Sequence, residues 1–160
     1  MAPTAAALAS LCLLSVIGVA YCADNFMVQG RVYCDTCRIG FETPATTYIP
    51  GAKVKVECRS RTTGFMTYKA EGMTDATGTY RIPVANDHQH EICESVLISS
   101  PQRGCAVMQA GRERASVALT HNNGMPSSTR FANSLGFVAD RPLALCAQLV
   151  QQYELDETEV

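Results

Sequence analysis

Apolar and polar side chains alternate along most of the chain with a period of two, which is typical of half-buried β-strands. In the segment 26–34 the apolar residues occupy mainly the even positions, and the segments 52–59 and 80–84 repeat this pattern. Weaker versions follow further along the chain. The alternation predicts about seven short strands, at positions 26–34, 52–59, 65–70, 80–84, 95–99, 115–120 and 136–139.

Turn residues separate these strands. Pro50-Gly51 precedes the second strand, and Asp75-Ala-Thr-Gly78 has Asp at the first and Gly at the fourth position of a type I turn. Short alternating strands at this spacing are typical of an antiparallel β-barrel or sandwich. The predicted fold class is therefore mainly β: a small antiparallel β-barrel or sandwich of about seven strands.

One segment departs from the period of two. Between positions 141 and 153 the residues Leu143, Cys146, Val150 and Tyr153 follow one another at three- and four-residue steps, and Pro142 suits a first helical position. We predict a short C-terminal helix here. Residues 154–160 contain four acidic side chains and are predicted to form a flexible tail.

The first 23 residues contain no charged side chain and have an apolar stretch at positions 5–20. Small residues and then Asp24-Asn25 follow, which is the layout of a secretory signal peptide. An uncleaved membrane anchor is the alternative, but no basic stop-transfer cluster follows the stretch. We expect cleavage of residues 1–23, one β domain at 24–153, no membrane span thereafter, and localisation in the extracellular space or cell wall.

The charge of the chain is nearly balanced, with 13 basic and 15 acidic side chains and a net charge of −2. Such a balance supplies no field that would attract nucleic acid. No Asn-x-Ser/Thr sequon occurs, so N-glycosylation is not expected.

Six cysteines lie beyond the leader, and an even number in a secreted chain indicates disulfides. The motif Cys34-Asp-Thr-Cys37 has the spacing of a redox dithiol, but it closes a strand pattern instead of beginning a helix, so we interpret both cysteines as structural. Spacing alone does not choose among the 15 pairings that six cysteines permit. The six are Cys34, Cys37, Cys58, Cys93, Cys105 and Cys146.

Candidate catalytic and metal sites are weak. His88-Gln-His90 would place two imidazoles on one face of a strand, but His121 is the only other histidine and paired cysteines cannot act as ligands. No G-x-S-x-G elbow and no phosphate-binding glycine loop occurs. We therefore expect no catalytic residue, no metal, no cofactor and no enzymatic activity.

A protease inhibitor is the alternative to a binding protein. Pro101-Gln-Arg-Gly-Cys105 places Arg103 two residues before a cysteine. Inhibitors of trypsin-like serine proteases present such a basic residue on a loop that a disulfide stabilises.

Several runs of residues carry a family resemblance. The run Gln29-Gly-Arg-Val-Tyr-Cys-Asp-Thr-Cys-Arg38 resembles the signature of the Ole e I-type pollen proteins, a plant family of secreted allergens and pollen-specific proteins. The grass pollen branch is the most similar. The resemblance extends over essentially the whole of the predicted mature chain, through Pro50–Cys58, Thr74–Tyr80, Cys93, Cys105, Asn122–Met125, Arg130–Asn133, Leu135–Phe137 and Cys146.

The resemblance implies a β-barrel or sandwich held by three disulfides. In the family these join the first and fifth, the second and sixth, and the third and fourth cysteines. On this sequence they correspond to Cys34–Cys105, Cys37–Cys146 and Cys58–Cys93.

Members of the family are secreted by pollen and anthers, are linked to pollen hydration, tube growth and receptor-kinase signalling, and several bind human immunoglobulin E. The resemblance therefore implies a secreted, non-enzymatic extracellular ligand or cell-wall-associated factor and a potential allergen. Its expected partner is an extracellular protein, such as a receptor-kinase ectodomain. Carbohydrate binding is a third hypothesis, against which the absence of Trp argues.

The expected contact surface comprises loops and outward strand faces. Lys53, Lys55, Arg59 and Arg61 are the side chains that we predict to lie there. The alternative interpretation of these charges is an ordinary solvated face.

Overall fold

Two β-sheets share one hydrophobic core, and a helix follows the last strand. A computed structural model describes residues 25–157, so the predicted signal peptide lies outside the described residues. The elements are β1 (Asn25–Asp35), β2 (Thr47–Tyr48), β3 (Lys53–Ser60), β4 (Met66–Met73), β5 (Thr79–Ala85), β6 (Glu91–Ser99), β7 (Val107–Met108), β8 (Arg114–Val117), β9 (Thr129–Phe131), β10 (Leu135–Val138) and α1 (Cys146–Glu157).

The first sheet has six strands and is organised around β1. The first part of β1 pairs antiparallel with β5 and parallel with β9. Its second part pairs antiparallel with β2 and parallel with β10, and β7 lies antiparallel on the far side of β10. Every other strand of this sheet except β7 therefore depends on β1.

The second sheet has four strands in the order β4-β3-β6-β8, and all of its pairings are antiparallel. The segments of the seven predicted strands overlap β1, β3, β4, β5, β6, β8 and β10. The mainly β class is confirmed, but the two sheets do not form a closed barrel, and the parallel pairings of β1 with β9 and β10 depart from the antiparallel prediction. The strands β2, β7 and β9 were not predicted, because two or three residues are too short to show a period.

The core contains the inward side chains of both sheets. The predicted apolar rows of β1, β3 and β5 are all buried, from Phe26 and Val28 to Val54 and Ile82. Gly30 allows the ring of Tyr80 to cross β1, because a Cβ at position 30 would lie 2.3 Å from the Tyr80 hydroxyl oxygen. The alternation of the sequence thus identifies the core of the molecule correctly.

The helix boundaries differ from the prediction. The predicted segment began at position 141, but the chain first makes a turn, in which the Cys146 amide donates to the Leu143 carbonyl at 3.0 Å, and α1 begins at Cys146. The Leu143 amide is bound to the Thr36 carbonyl at 3.1 Å, which draws this part of the chain away from helical bonding. The helix also continues to Glu157, four residues into the predicted flexible tail, because residues 154–157 contain neither Gly nor Pro. Within residues 25–157 no helix is long and apolar enough to span a membrane.

A buried arginine holds the connection between β8 and β9. Arg130 is 2% exposed, and its guanidinium donates to the carbonyls of Ala118 at 3.0 Å, Thr120 at 2.9 Å and Ser127. Its Cζ also lies 5.0 Å from the ring centroid of Phe26. One side chain thus satisfies several carbonyls of a loop that has little regular structure.

Candidate functional site

Charged side chains from neighbouring strands lie side by side on the outer face of the four-stranded sheet. In the β-ladder, Lys55 lies opposite Glu71 of β4 and Val96 of β6, and Val96 lies opposite Arg114 of β8. We call this surface the basic face. Its charged members are Lys53, Lys55, Glu57 and Arg59 of β3, Lys69 and Glu71 of β4, Glu94 of β6, Arg114 of β8, and Arg61 in the turn after β3.

Every carboxylate of the basic face is neutralised by a cation. Glu57 lies between Lys55 at 2.6 Å and Arg59 at 3.3 Å, and Lys69 binds Glu71 at 2.6 Å. Arg114 binds Glu94 at 2.7 Å. The basic face therefore contains three acidic and six basic side chains. Of the basic ones, neither Lys53 nor Arg61 takes part in a described ion pair.

Glu57 is the buried centre of this network, with only 3% of its side chain exposed. A hydrogen bond from Lys55 lowers the pKa of Glu57 below its ordinary value, against the desolvation that raises it, and Arg59 adds to the lowering. The carboxylate therefore stays ionised at neutral pH and holds two cations at the surface.

At one end of the basic face, apolar side chains flank the cations. Arg59 lies opposite Met66 on one side and Ile92 on the other, and each of these two side chains is 51% exposed. Phe65, at the turn before β4, is 76% exposed. Exposed apolar groups beside cations favour contact with an amphipathic partner.

The six cysteines form three disulfides, and these are the pairs that the family resemblance implies. The structure joins Cys34 to Cys105, Cys37 to Cys146, and Cys58 to Cys93. The two sulfurs of the CxxC motif thus reach different partners, so the motif is not a redox dithiol. The intervening Asp35 is buried, and its carboxylate accepts from the amides of Cys37 at 3.2 Å and Gly40 at 2.7 Å.

The histidines do not come together as the motif suggested. His88 is buried beside Glu91 and the Cys58–Cys93 disulfide, with the ligand atoms of all four residues within 4.8 Å of one another, whereas His90 is exposed and outside this group. The bonded sulfurs are not thiolates and offer no metal ligand.

The two nitrogens of His88 are also engaged, Nδ1 by Glu91 and Nε2 by the Ala85 carbonyl at 3.0 Å. Desolvation raises the pKa of Glu91, but hydrogen bonds from Thr67 and His88 bring it below its ordinary value. The arrangement is that of a structural hydrogen-bonded pair at the start of β6.

Arg103 lies in a tight turn. The Cys105 amide donates to the Gln102 carbonyl at 2.9 Å, and the Asp140 amide donates to the Gly104 carbonyl at 2.9 Å. Substrate-like protease inhibitors present an extended backbone to the protease cleft, and a closed turn lacks the free donors and acceptors of such a strand. The geometry therefore weakens the inhibitor interpretation, although Arg103 itself is exposed.

A cleft that no sequence pattern predicted lies on the outer side of the six-stranded sheet. Its volume is about 450 Å³, and we call it the Tyr33 cleft. Its lining residues come from four separate segments, so no local motif could have indicated it. Gly136 lies under the Tyr33 ring. The lining residues are Tyr33, Phe41, Glu42, Arg112, Ala132, Asn133 and Ser134.

Comparison with known proteins gives the family. A family model described as "Pollen protein Ole e 1 like" matches residues 24–154. The chain is 46% identical to the pollen-specific protein C13 of Zea mays, covering 96% of this chain and 93% of that protein. It is 47% identical to the pollen allergen Cro s 1 of Crocus sativus, covering 91% and 89%.

A solved structure is also similar. The crystal structure of the major plantain pollen allergen Pla l 1 matches with a TM-score of 0.66 at 28% identity, covering 74% of this chain and 97% of that chain. The family model and the relatives extend over most of the sequence, and the solved structure agrees in fold. The chain therefore belongs to the Ole e 1-like family of pollen proteins.

Proposed function

We propose that this protein is secreted and acts without catalysis, by binding an extracellular protein in pollen through the basic face. The observation that supports the proposal is the excess of cations over carboxylates on an uncovered sheet face, with Phe65, Met66 and Ile92 exposed at one end. A partner with acidic and apolar side chains, such as a receptor-kinase ectodomain, complements this surface. The setting that we propose, pollen hydration or tube growth, rests on what the family resemblance implies.

Several groups that often carry out catalysis have structural partners here, which supports a role in binding. The cysteines are in disulfides, and His88 is held between Glu91 and a backbone carbonyl. The relatives are named pollen-specific proteins and pollen allergens, which is consistent with this proposal.

A pull-down from detergent-solubilised pollen-tube membranes tests the proposal. The variant Lys53→Glu/Arg61→Glu reverses two cations of the basic face without breaking a described ion pair. The matched control Arg103→Glu/Arg141→Glu makes the same charge change at exposed positions elsewhere.

We expect the native protein and the control to capture the same membrane protein, and the basic-face variant to capture at least about 10-fold less. Capture should also weaken between 0.15 and about 0.5 M salt, because exposed charges are screened. Equal capture by both variants, or no specific capture by the native protein, would contradict the proposal.

A second proposal concerns allergenicity. Several relatives are named pollen allergens, among them Cro s 1 and Che a 1. We propose that immunoglobulin E recognises this protein too. Binding of immunoglobulin E from pollen-sensitised donors to the folded protein is the expected result, and sera that bind Cro s 1 but not this protein would contradict it.

A further inference from the structure

The Tyr33 cleft has a polar floor. Tyr33 is 1% exposed, and its ring lies against Gly136, where a Cβ would be 2.7 Å from the Tyr33 Cζ. Among the described residues no group forms a hydrogen bond with the Tyr33 hydroxyl, although this residue lines the cleft. The hydroxyl is therefore open to the cleft and free to donate to, or accept from, a polar molecule bound there.

The side walls of the cleft carry one base and one acid. The Arg112 Nε donates to the Gly40 carbonyl at 3.2 Å, which fixes the guanidinium at the rim. Glu42 Oε1 accepts from the Tyr48 hydroxyl at 2.9 Å, which fixes the carboxylate. Asn133 and Ser134 add an amide and a hydroxyl, so the lining contains both donors and acceptors and has no net charge.

The cleft also has an aromatic wall. Phe41 is 39% exposed and is held by an edge contact with Tyr153, with the ring centroids 5.3 Å apart. The absence of Trp argues against carbohydrate binding, but Phe41 supplies an accessible ring on which the C–H face of a sugar can pack.

We propose that the Tyr33 cleft binds a neutral sugar residue of an extracellular glycan. Sugar hydroxyls both donate and accept hydrogen bonds, so one pair can donate to Glu42 and accept from Arg112 or Asn133. A neutral ligand leaves the Arg112 and Glu42 charges balanced, whereas a uronic acid adds a second carboxylate beside Glu42. The volume of about 450 Å³ falls within the range of small-ligand sites, about 300–1,000 Å³.

Saturation-transfer NMR on the folded protein tests the proposal. The probes are methyl β-D-glucopyranoside and methyl β-D-galactopyranoside, with glucuronate as a charged comparison of the same ring size. We expect transfer to the ring protons of at least one neutral glycoside and weaker transfer to glucuronate. No transfer from either neutral glycoside at tens of millimolar, or a preference for glucuronate, overturns the proposal.

Matched variants assign the binding to this cleft. Tyr33→Phe removes only the floor hydroxyl, and Tyr80→Phe makes the same change at a buried tyrosine that does not line the cleft. Phe41→Ala removes the aromatic wall, and Phe65→Ala removes an exposed phenylalanine of the other sheet. We expect Tyr33→Phe and Phe41→Ala to weaken binding about 10-fold, and the two controls to leave it unchanged.

Two further measurements separate a binding role from a structural one. The melting temperature of Tyr33→Phe should equal that of the native protein, because the lost hydroxyl has no protein partner. Tyr153→Ala removes the edge contact with Phe41 but leaves the ring of Phe41 in place, so it should weaken binding less than Phe41→Ala. Equal binding by Tyr33→Phe and the native protein would place the sugar elsewhere and reject the assignment.

Discussion

The outer faces of the two sheets are built in different ways. The basic face is a regular antiparallel ladder whose charged side chains come from neighbouring positions of β3, β4, β6 and β8. The Tyr33 cleft has a floor on β1, and its walls come from the segment 41–42, from Arg112 and from residues 132–134. The first surface is flat and charged, whereas the second is concave and neutral.

The difference has a physical origin. Successive side chains of a β-strand point to opposite faces of the sheet, so the polar ones lie together on the outer face. Pairing with the neighbouring strands is enough to form this flat surface. A concave surface requires loops to return to the sheet, and here Asp35, Arg38 and the Cys37–Cys146 disulfide tether the loop that carries the wall residues 41–42. We therefore expect the cleft to depend on long-range links and the basic face to survive their loss.

The largest expected effect comes from removal of disulfides. The variant Cys37→Ala/Cys146→Ala opens a link across 109 residues, and Cys58→Ala/Cys93→Ala opens one across 35 residues. In the chain-entropy model the losses in the free energy of unfolding are about 4.8 and about 3.8 kcal/mol. Denaturant unfolding measures both values.

Hydrogen exchange shows where each loss acts. Removal of Cys37–Cys146 should release protection in residues 36–45, whereas the ladder partners of Cys58 and Cys93 should remain protected. Loss of protection in β3 and β6 on removal of the Cys37–Cys146 link would show that the two surfaces are not independent.

The next effect concerns Arg130. Arg130→Met removes the donor to the carbonyls of Ala118, Thr120 and Ser127 while keeping much of the side-chain volume. We expect a loss of about 3 kcal/mol in the free energy of unfolding, because these carbonyls lose a charged partner. Arg59→Met, on the basic face, removes an exposed cation and should cost less than about 1 kcal/mol. Similar losses in the two variants would contradict the contrast between the sheets.

A smaller effect is expected at the floor of the cleft. Gly136→Ala places a Cβ 2.7 Å from the Tyr33 Cζ, and overpacking of this kind costs about 1–3 kcal/mol. Gly104→Ala is the control, since no atom lies within 4 Å of its added Cβ. The melting temperature of Gly136→Ala should fall and that of Gly104→Ala should not; an unchanged value for both would mean that Tyr33 can move without cost.

The basic face could be predicted from the sequence because it depends on the period of two. Lys53, Lys55 and Arg59 were expected on the outer side of one strand, and the structure places them there. The burial of Glu57 could not be read from the pattern, because its position alternates with those of the core residues Val56 and Cys58; Lys55 and Arg59 both pair with its carboxylate.

The cleft could not be predicted, because the sequence does not show which distant segments meet. The segment 136–139 is predicted as a strand, but nothing in it indicates that this strand pairs parallel with β1, about 100 residues earlier. The disulfide pairing was likewise open from the cysteines alone and came from the resemblance. Tyr33 occupies an odd position of β1, outside the apolar row, and only the fold shows that it is buried there.

The smallest expected effect tests the electrostatics of the basic face. Hydrogen bonding from Lys55 lowers the pKa of Glu57 in the folded state, so its stabilising effect is complete above the unfolded pKa, about 4.3, and is lost as pH falls through the lower folded value. Between pH 7 and about pH 3 we expect the free energy of unfolding of the native protein to fall by about 1 kcal/mol more than that of Glu57→Gln. The effect is small because the buried carboxylate interacts with two partly exposed cations. Thermal unfolding at a series of pH values measures the difference.

Glu71→Gln is the matched control for this measurement, because Glu71 also pairs with a lysine but 53% of its side chain is exposed. Its pH dependence should resemble that of the native protein more closely than Glu57→Gln does, since solvent screens an exposed pair. If Glu57→Gln and the native protein lose stability in parallel, the cations of the basic face are not held by Glu57. The face would then be a set of independent solvated charges, and its shape would come from the β-ladder alone.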